Sequence, residues 1–137
     1  MSEALYQAAL VERAQLGRKR GRLTAPDRSV TLDNPLCGDR VTLDLTLEDG
    51  RVGRVGHLVR GCLLCEAAAE TIAEHAPGKT ATELAEARAA LAAILHEGAA
   101  APAGEWSSLA IFTPVHAVKS RRDCVLLPFE ALEKALA

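Results

Sequence analysis

The sequence predicts an α+β fold: a small antiparallel sheet of about three strands with helices packed on one face. Val41, Leu43, Leu45 and Leu47 alternate with polar residues and are followed by Asp49-Gly50, which is the pattern of a half-buried strand entering a hairpin. Farther along, Cys62, Cys65, Ala69, Ile72 and Ala73, and then Leu84, Ala87, Leu91, Ile94 and Leu95, recur every three to four residues, the period of a helix with one buried face. Alanine is abundant, and the 137 residues include only one Trp, one Tyr and two Phe, so the core is expected to form by close helix contacts rather than around large rings.

The elements follow in order. Residues 3 to 15 read as a helix in which Leu5, Ala8, Ala9 and Leu16 share a face, with Glu12 interrupting it and Leu10 and Val11 off it. Gly17-Arg18-Lys19-Arg20-Gly21 is expected to end that helix and to carry three solvated cations or a partner contact. Val30 and Leu32 begin the period-two region. The segment 51 to 60 carries Val52, Val55, Leu58 and Val59, with Gly53 and Gly56 pointing to a bulge. A helix follows Gly61 and stops at Pro77-Gly78. Thr80 and Glu83 have capping-box spacing ahead of a second helix that stops near Gly98. Residues 98 to 104 read as a flexible connection, Trp106 to Val115 return the chain to the core, and Pro128 is placed in the first turn of a last helix.

With 49% apolar and 25% charged residues, the expectation is one domain over residues 1–137. A net charge of −2 argues against a nucleic-acid footprint. No apolar run reaches membrane-spanning length, and the charged first 20 residues lack a secretory pattern. A cytoplasmic setting is therefore expected. Thiols stay reduced there, so four cysteines suggest metal binding or sulfur chemistry ahead of disulfides.

Cys37 lies in Asn34-Pro35-Leu36-Cys37-Gly38-Asp39, a turn just before a strand. Read alone, Cys37 and Asp39 are either turn residues or a ligand pair. Cys62 opens a helix, where unpaired amides and the helix dipole favour thiolate, and read alone it is either a ligand or nucleophile or a small buried residue beginning that helix. Cys124, in Arg121-Arg122-Asp123-Cys124, has cations close by. Cys65 is one helical turn beyond Cys62 and reads either as packing or as an auxiliary thiol. Cys62-Leu63-Leu64-Cys65 lacks the second Cys pair of a zinc ribbon. The four histidines, His57, His75, His96 and His116, read as surface or capping residues, with His116 the best placed to approach Cys124. No HExxH pattern or phosphate-binding glycine loop is present, so hydrolase and nucleotide-binding functions lack their parts.

Taken together these segments resemble the IscU, SufU and NifU-type scaffolds for iron-sulfur clusters. Asn34 to Asp39 resembles the family's NPxCGD segment and Gly61-Cys62 its GC segment, and Gly78-Lys79 and Cys124 before a closing helix continue in the same order. The resemblance implies a SufE/IscU-like fold and a ligand set of Cys37, Asp39, Cys62 and Cys124, with zinc, iron or a [2Fe-2S] cluster as cofactor. The long Cys62 to Cys124 interval is similar to the SUF branch, which implies a SufS-like cysteine desulfurase as partner, sulfur acceptance at Cys37 and downstream iron-sulfur acceptor proteins. It also implies an alternative: a zinc-dependent adaptor that activates the desulfurase without building a cluster. Arg121 matches a basic position of SufU-like chains and is expected at the desulfurase contact. Asp123 stands where relatives have His or Lys and is an auxiliary candidate, Cys65 stands where relatives have Ser, and the LPPVK segment of the ISC branch is missing.

Overall fold

The computed structural model describes residues 3–36 and 38–137, with side chains from residue 7 onward. Helix α1 (Glu3–Arg20) precedes strands β1 (Arg28–Asn34), β2 (Asp39–Glu48) and β3 (Arg51–Arg60). Helices α2 (Leu63–His75) and α3 (Ala81–Glu97), a 3-10 stretch (Gly104–Ala117), a short 3-10 turn (Lys119–Arg121) and helix α4 (Arg122–Leu136) follow. The sheet is antiparallel in the order β1-β2-β3.

Alternation sets the sheet's two faces. Val41, Leu43 and Leu45 are fully buried toward α2 and α4, while Asp44 lies on the opposite side. A two-residue loop joins Glu48 to Arg51, with positive φ at both Asp49 (51°) and Gly50 (76°), as a tight hairpin requires. The expected irregularity in the hairpin occurs as a register shift between Leu45 and Leu47.

Asp44 is fully buried because it anchors the link between α1 and β1. It accepts from Arg22 Nε and Nη2 (both 3.1 Å), from the Leu23 N–H (3.1 Å) and from Ser29 Oγ (2.6 Å). Burial works to raise its pKa, but the bonds from Arg22, Ser29 and Leu23 outweigh burial and lower it.

Helix α2 is buried on all sides from Cys65 to Ala73, and its alanines let neighbouring elements approach closely. Helix α1 lies against it, and here the structure differs from the sequence expectation. The Gly17–Gly21 run does not break the helix, which continues to Arg20. Its buried face is Leu10, Ala14 and Gly17, whereas Leu16 and Val11 are largely exposed. Small residues at the crossing decide this: a Cβ at Gly17 would meet Glu66 Oε1 at 3.0 Å and Glu70 Cβ at 3.2 Å. Arg18 and Lys19 are solvated as expected, but Arg20 makes a paired bond to Glu70 (2.7 and 2.8 Å).

His57 also departs from expectation. It is buried in β3, not on the surface, with Nε2 3.1 Å from Glu70 Oε1 and Nδ1 3.9 Å from Glu66 Oε1. Alternation along β3 turns it inward beside Val55 and Val52, a placement obscured by its polar ring. Burial works to raise the pKa of Glu70, but Arg20 and then His57 outweigh it and pull the carboxyl down to about 2; burial raises Glu66.

The Thr80–Glu83 capping box is present, α3 ends at the left-handed Gly98, and His116 Nδ1 meets the Leu95 carbonyl in its last turn (2.9 Å). Trp106 packs edge-on to Phe129 at 6.4 Å. Pro128 lies well inside α4, not in its first turn, because the helix already starts at Arg122. Pro128 has no N–H for the Cys124 carbonyl, yet the buried face from Val125 to Ala135 holds the helix together.

Glu70 is ionised in the fold well below its ordinary 4.5, so its contribution is complete above that value and lost as pH falls toward 2. Glu70→Gln should lower unfolding stability by about 2–3 kcal/mol at pH 7, by stranding Arg20 and His57. Urea unfolding at pH 7 and pH 3 should show the gap to wild type narrowing at the lower pH; an equal gap at both would contradict the assignment.

Candidate metal and sulfur site

The site lies at the end of the sheet where β2 starts, β3 ends and α2 begins. Asp39, the first residue of β2, is only 2% exposed. Its Oδ1 accepts the Cys62 N–H (2.9 Å), while its Oδ2 lies 3.7 Å from Cys62 Sγ. The carboxylate therefore binds the N-cap residue of α2, satisfying an amide left over at the helix start, and meets that residue's sulfur as well.

This contact fixes residue 61. A Cβ there would overlap Asp39 Oδ1 and crowd its Cγ at 2.8 Å, so only glycine lets the end of β3 pass over the carboxylate. Cys124, in the first turn of α4, completes the group: one ligand atom from each of Asp39, Cys62 and Cys124 lies within 4.8 Å of the others. Cys62 is half-buried, Cys124 fully buried.

The donor set suits a borderline-soft ion. Zinc–sulfur bonds of about 2.3 Å place two ligands of one tetrahedron about 3.8 Å apart, and the three candidate donor atoms lie within 4.8 Å of one another. Arg121 is drawn to the same place, its pKa raised by attraction to Cys62 and then by a hydrogen bond with Cys124. Arg121 thus interacts with both thiols, in keeping with the cations that the sequence places beside Cys124.

Other sequence candidates separate clearly. Cys37 lies outside the described residues. Its flanks are held by Asn34, whose carbonyl accepts the Gly38 N–H (2.8 Å) and whose Oδ1 accepts the Leu36 N–H (3.2 Å). The Asn-Pro pair at a strand end was the available signal for this clamp. Cys65 is fully buried in the hydrophobic core and outside the Asp39–Cys62–Cys124 group, which favours its packing role. Asp123 is exposed and lines a pocket of 590 Å³ beside the site, also outside that group. His116 caps α3 and does not join the cluster.

Gly61→Ala should force Asp39 away from Cys62 while leaving every proposed ligand in the sequence. Competition with a chromophoric zinc chelator should show affinity at least about tenfold weaker, the scale of lost ligand support in metal sites. Unchanged affinity would mean that the Asp39–Cys62 geometry does not shape the site.

Comparison with known proteins agrees with this architecture. The NifU-like N terminal domain family matches residues 5–137. An Archaeoglobus fulgidus protein named iron-sulfur cluster assembly scaffold protein IscU 1 is 30% identical over 79 residues, 58% of this chain. The match spans 52% of that relative, about half its length. The crystal structure of a nitrogen-fixing NifU-like protein (N-terminal) from Brucella abortus superposes with a TM-score of 0.85 at 35% identity, over 93% of this chain and 89% of that one. A structure from Fervidobacterium islandicum AW-1, named as a SUF-system cluster assembly scaffold (FiSufU), has the same fold, with a TM-score of 0.87 at 24% identity over the full length of both chains. From the family match along nearly its whole length, the chain belongs to the NifU-like N-terminal domain family.

Proposed function

We propose that this protein is an iron-sulfur cluster assembly scaffold that accepts sulfur from a cysteine desulfurase and holds a metal or nascent cluster. The observation that supports this reading most is the convergence of Asp39, Cys62 and Cys124 at one end of the sheet. Cys37, two residues before Asp39, is the proposed fourth ligand and the entry thiol. The names of the relatives point the same way.

When bound, a zinc or iron ion would keep the thiols deprotonated and ready for exchange. The chain's own residues then have separate tasks. Asp39 supplies a hard oxygen donor beside Cys62, and Arg121 offsets the negative charge of the thiolates. In sulfur acceptance the Cys37 thiolate attacks the terminal sulfur of a persulfide on the desulfurase. A new S–S bond forms at Cys37, the donor's S–S bond breaks, and the donor cysteine leaves as thiolate, so no outside oxidant or reductant is needed.

The SUF branch is the favoured setting, supported by the long interval between Cys62 and Cys124, with a SufS-like desulfurase as partner and iron-sulfur proteins as acceptors. Among the described residues no helix is long and apolar enough to cross a membrane. The reading places the protein in the cytoplasm, where such thiols stay reduced.

The test is an anaerobic reaction with a cognate cysteine desulfurase and cysteine, read by intact-protein mass spectrometry, and in a second arm with ferrous iron and a thiol reductant that converts persulfide sulfur to sulfide, by cluster absorption. Wild type should gain sulfur and develop absorption, and Cys37→Ala should lose both. Sulfur gain and faster desulfurase turnover without any cluster would select the zinc-dependent adaptor instead. No sulfur gained by wild type would refute both.

A further inference from the structure

Cys65 lies outside the group formed by Asp39, Cys62 and Cys124, yet it is the cysteine nearest to Cys62 along the chain. Both belong to the first turn of α2. Cys62 is the N-cap, and its carbonyl accepts the Glu66 N–H (3.2 Å), so the turn that carries Cys65 closes on Cys62. Cα atoms three residues apart on a helix are about 5 Å from each other. A disulfide requires about 4.4–6.8 Å. The backbone therefore holds the two cysteines at bonding separation, and closing the bond needs no movement of one element against another.

Burial gives the two thiols different access. Cys62 is half-buried, packs against the core cluster to which Cys65 belongs, and makes no side-chain cap to the helix. Cys65 is 0% exposed. A disulfide in solution can therefore reach Cys62 and not Cys65, while Cys65 meets only what is attached one turn before it. Cys124 is the other sulfur close to Cys62, but it stands on α4 and is hydrogen-bonded with Arg121.

We infer that Cys62 and Cys65 form a redox-active dithiol, closed to a disulfide by exchange with a small-molecule disulfide, and that closure withdraws Cys62 from the donor group. In the first step the Cys62 thiolate attacks one sulfur of the small disulfide. An S–S bond forms at Cys62, the small disulfide's own bond breaks, and one half leaves as thiolate. Cys65 then gives its proton to solvent and attacks Cys62 Sγ, so that the Cys62–Cys65 bond forms and the second half leaves as thiolate. Two electrons pass from the protein thiols to the small disulfide, which ends as two thiols. A metal held through Cys62 loses that ligand, because the thiolate is the binding form, and reduction restores it. This goes beyond the scaffold role: it gives Cys65 a task and makes metal retention depend on the surrounding thiol–disulfide balance.

The test exposes the zinc-loaded full chain, without oxygen, to increasing glutathione disulfide. Acid quenching, alkylation and peptide mass mapping read the bonds, and a chromophoric chelator reads released zinc. Wild type should show Cys62 joined to Cys65, with zinc released as that bond forms and rebound on reduction. Alanines already pack along α2, so reduced Cys65→Ala should bind zinc within about twofold of wild type. It should need at least about tenfold more glutathione disulfide to lose zinc, because the mixed disulfide at Cys62 is no longer resolved within the chain. Cys62 joined instead to Cys37 or Cys124 in wild type, or joined to neither and not to Cys65, would overturn the inference, as would zinc release from Cys65→Ala along the wild-type curve. The peptide map reads the bond itself, so it decides the inference in metal-free protein as well and whether or not the chain accepts sulfur from a desulfurase.

Discussion

The carboxylate of Asp39, buried at the first position of β2 and bonded to the amide of Cys62, is the constraint on which the site depends. A buried carboxylate is tolerated only where donors meet it, and the start of α2 supplies both an N–H and a favourable dipole. The bond joins the beginning of one strand to the end of its neighbour's path, and the crossing is close enough that residue 61 must lack a side chain. One contact thus sets the end of β3, the start of α2 and the separation of an oxygen from a sulfur.

Behind the site, α2 is a central post. Its alanines admit the sheet, α1 and α4 at short range, and its buried glutamates are matched by Arg20 and His57 from two other elements. This arrangement ties α1 to the strand that leads into Gly61. The third ligand candidate arrives separately, on α4, held by the apolar face around Phe129 and Leu132. Potential donor atoms from three elements meet because each element is fixed by packing elsewhere, the preorganisation that the proposed metal site requires.

Much of this was legible in the sequence. Period-two alternation from Val41 to Leu47 with Asp49-Gly50 marked the hairpin, and Thr80 with Glu83 marked the start of α3. Cysteines at element junctions, together with Asp39, point to the candidate group of Asp39, Cys62 and Cys124. The misread parts share a cause, since each depends on a distant partner. Gly17 looked like a helix breaker but serves as a helix crossing, and Arg20 looked solvated until Glu70 was in place. His57 looked like a surface residue because its two glutamates come from a later helix. Arg121 is legible as a basic residue near Cys124, but its interaction with Cys62 as well depends on the meeting of α2 and α4.

Cobalt(II) titration of the metal-free protein shows whether Asp39, Cys62 and Cys124 act together as ligands of one ion. A single bound cobalt should give a sulfur-to-metal charge-transfer band and the visible absorption of a tetrahedral centre, with the charge-transfer band reduced in Cys62→Ser and in Cys124→Ser and the visible bands shifted in Asp39→Ala. Cobalt spectra indifferent to these substitutions, or binding without any charge-transfer band, would contradict the account.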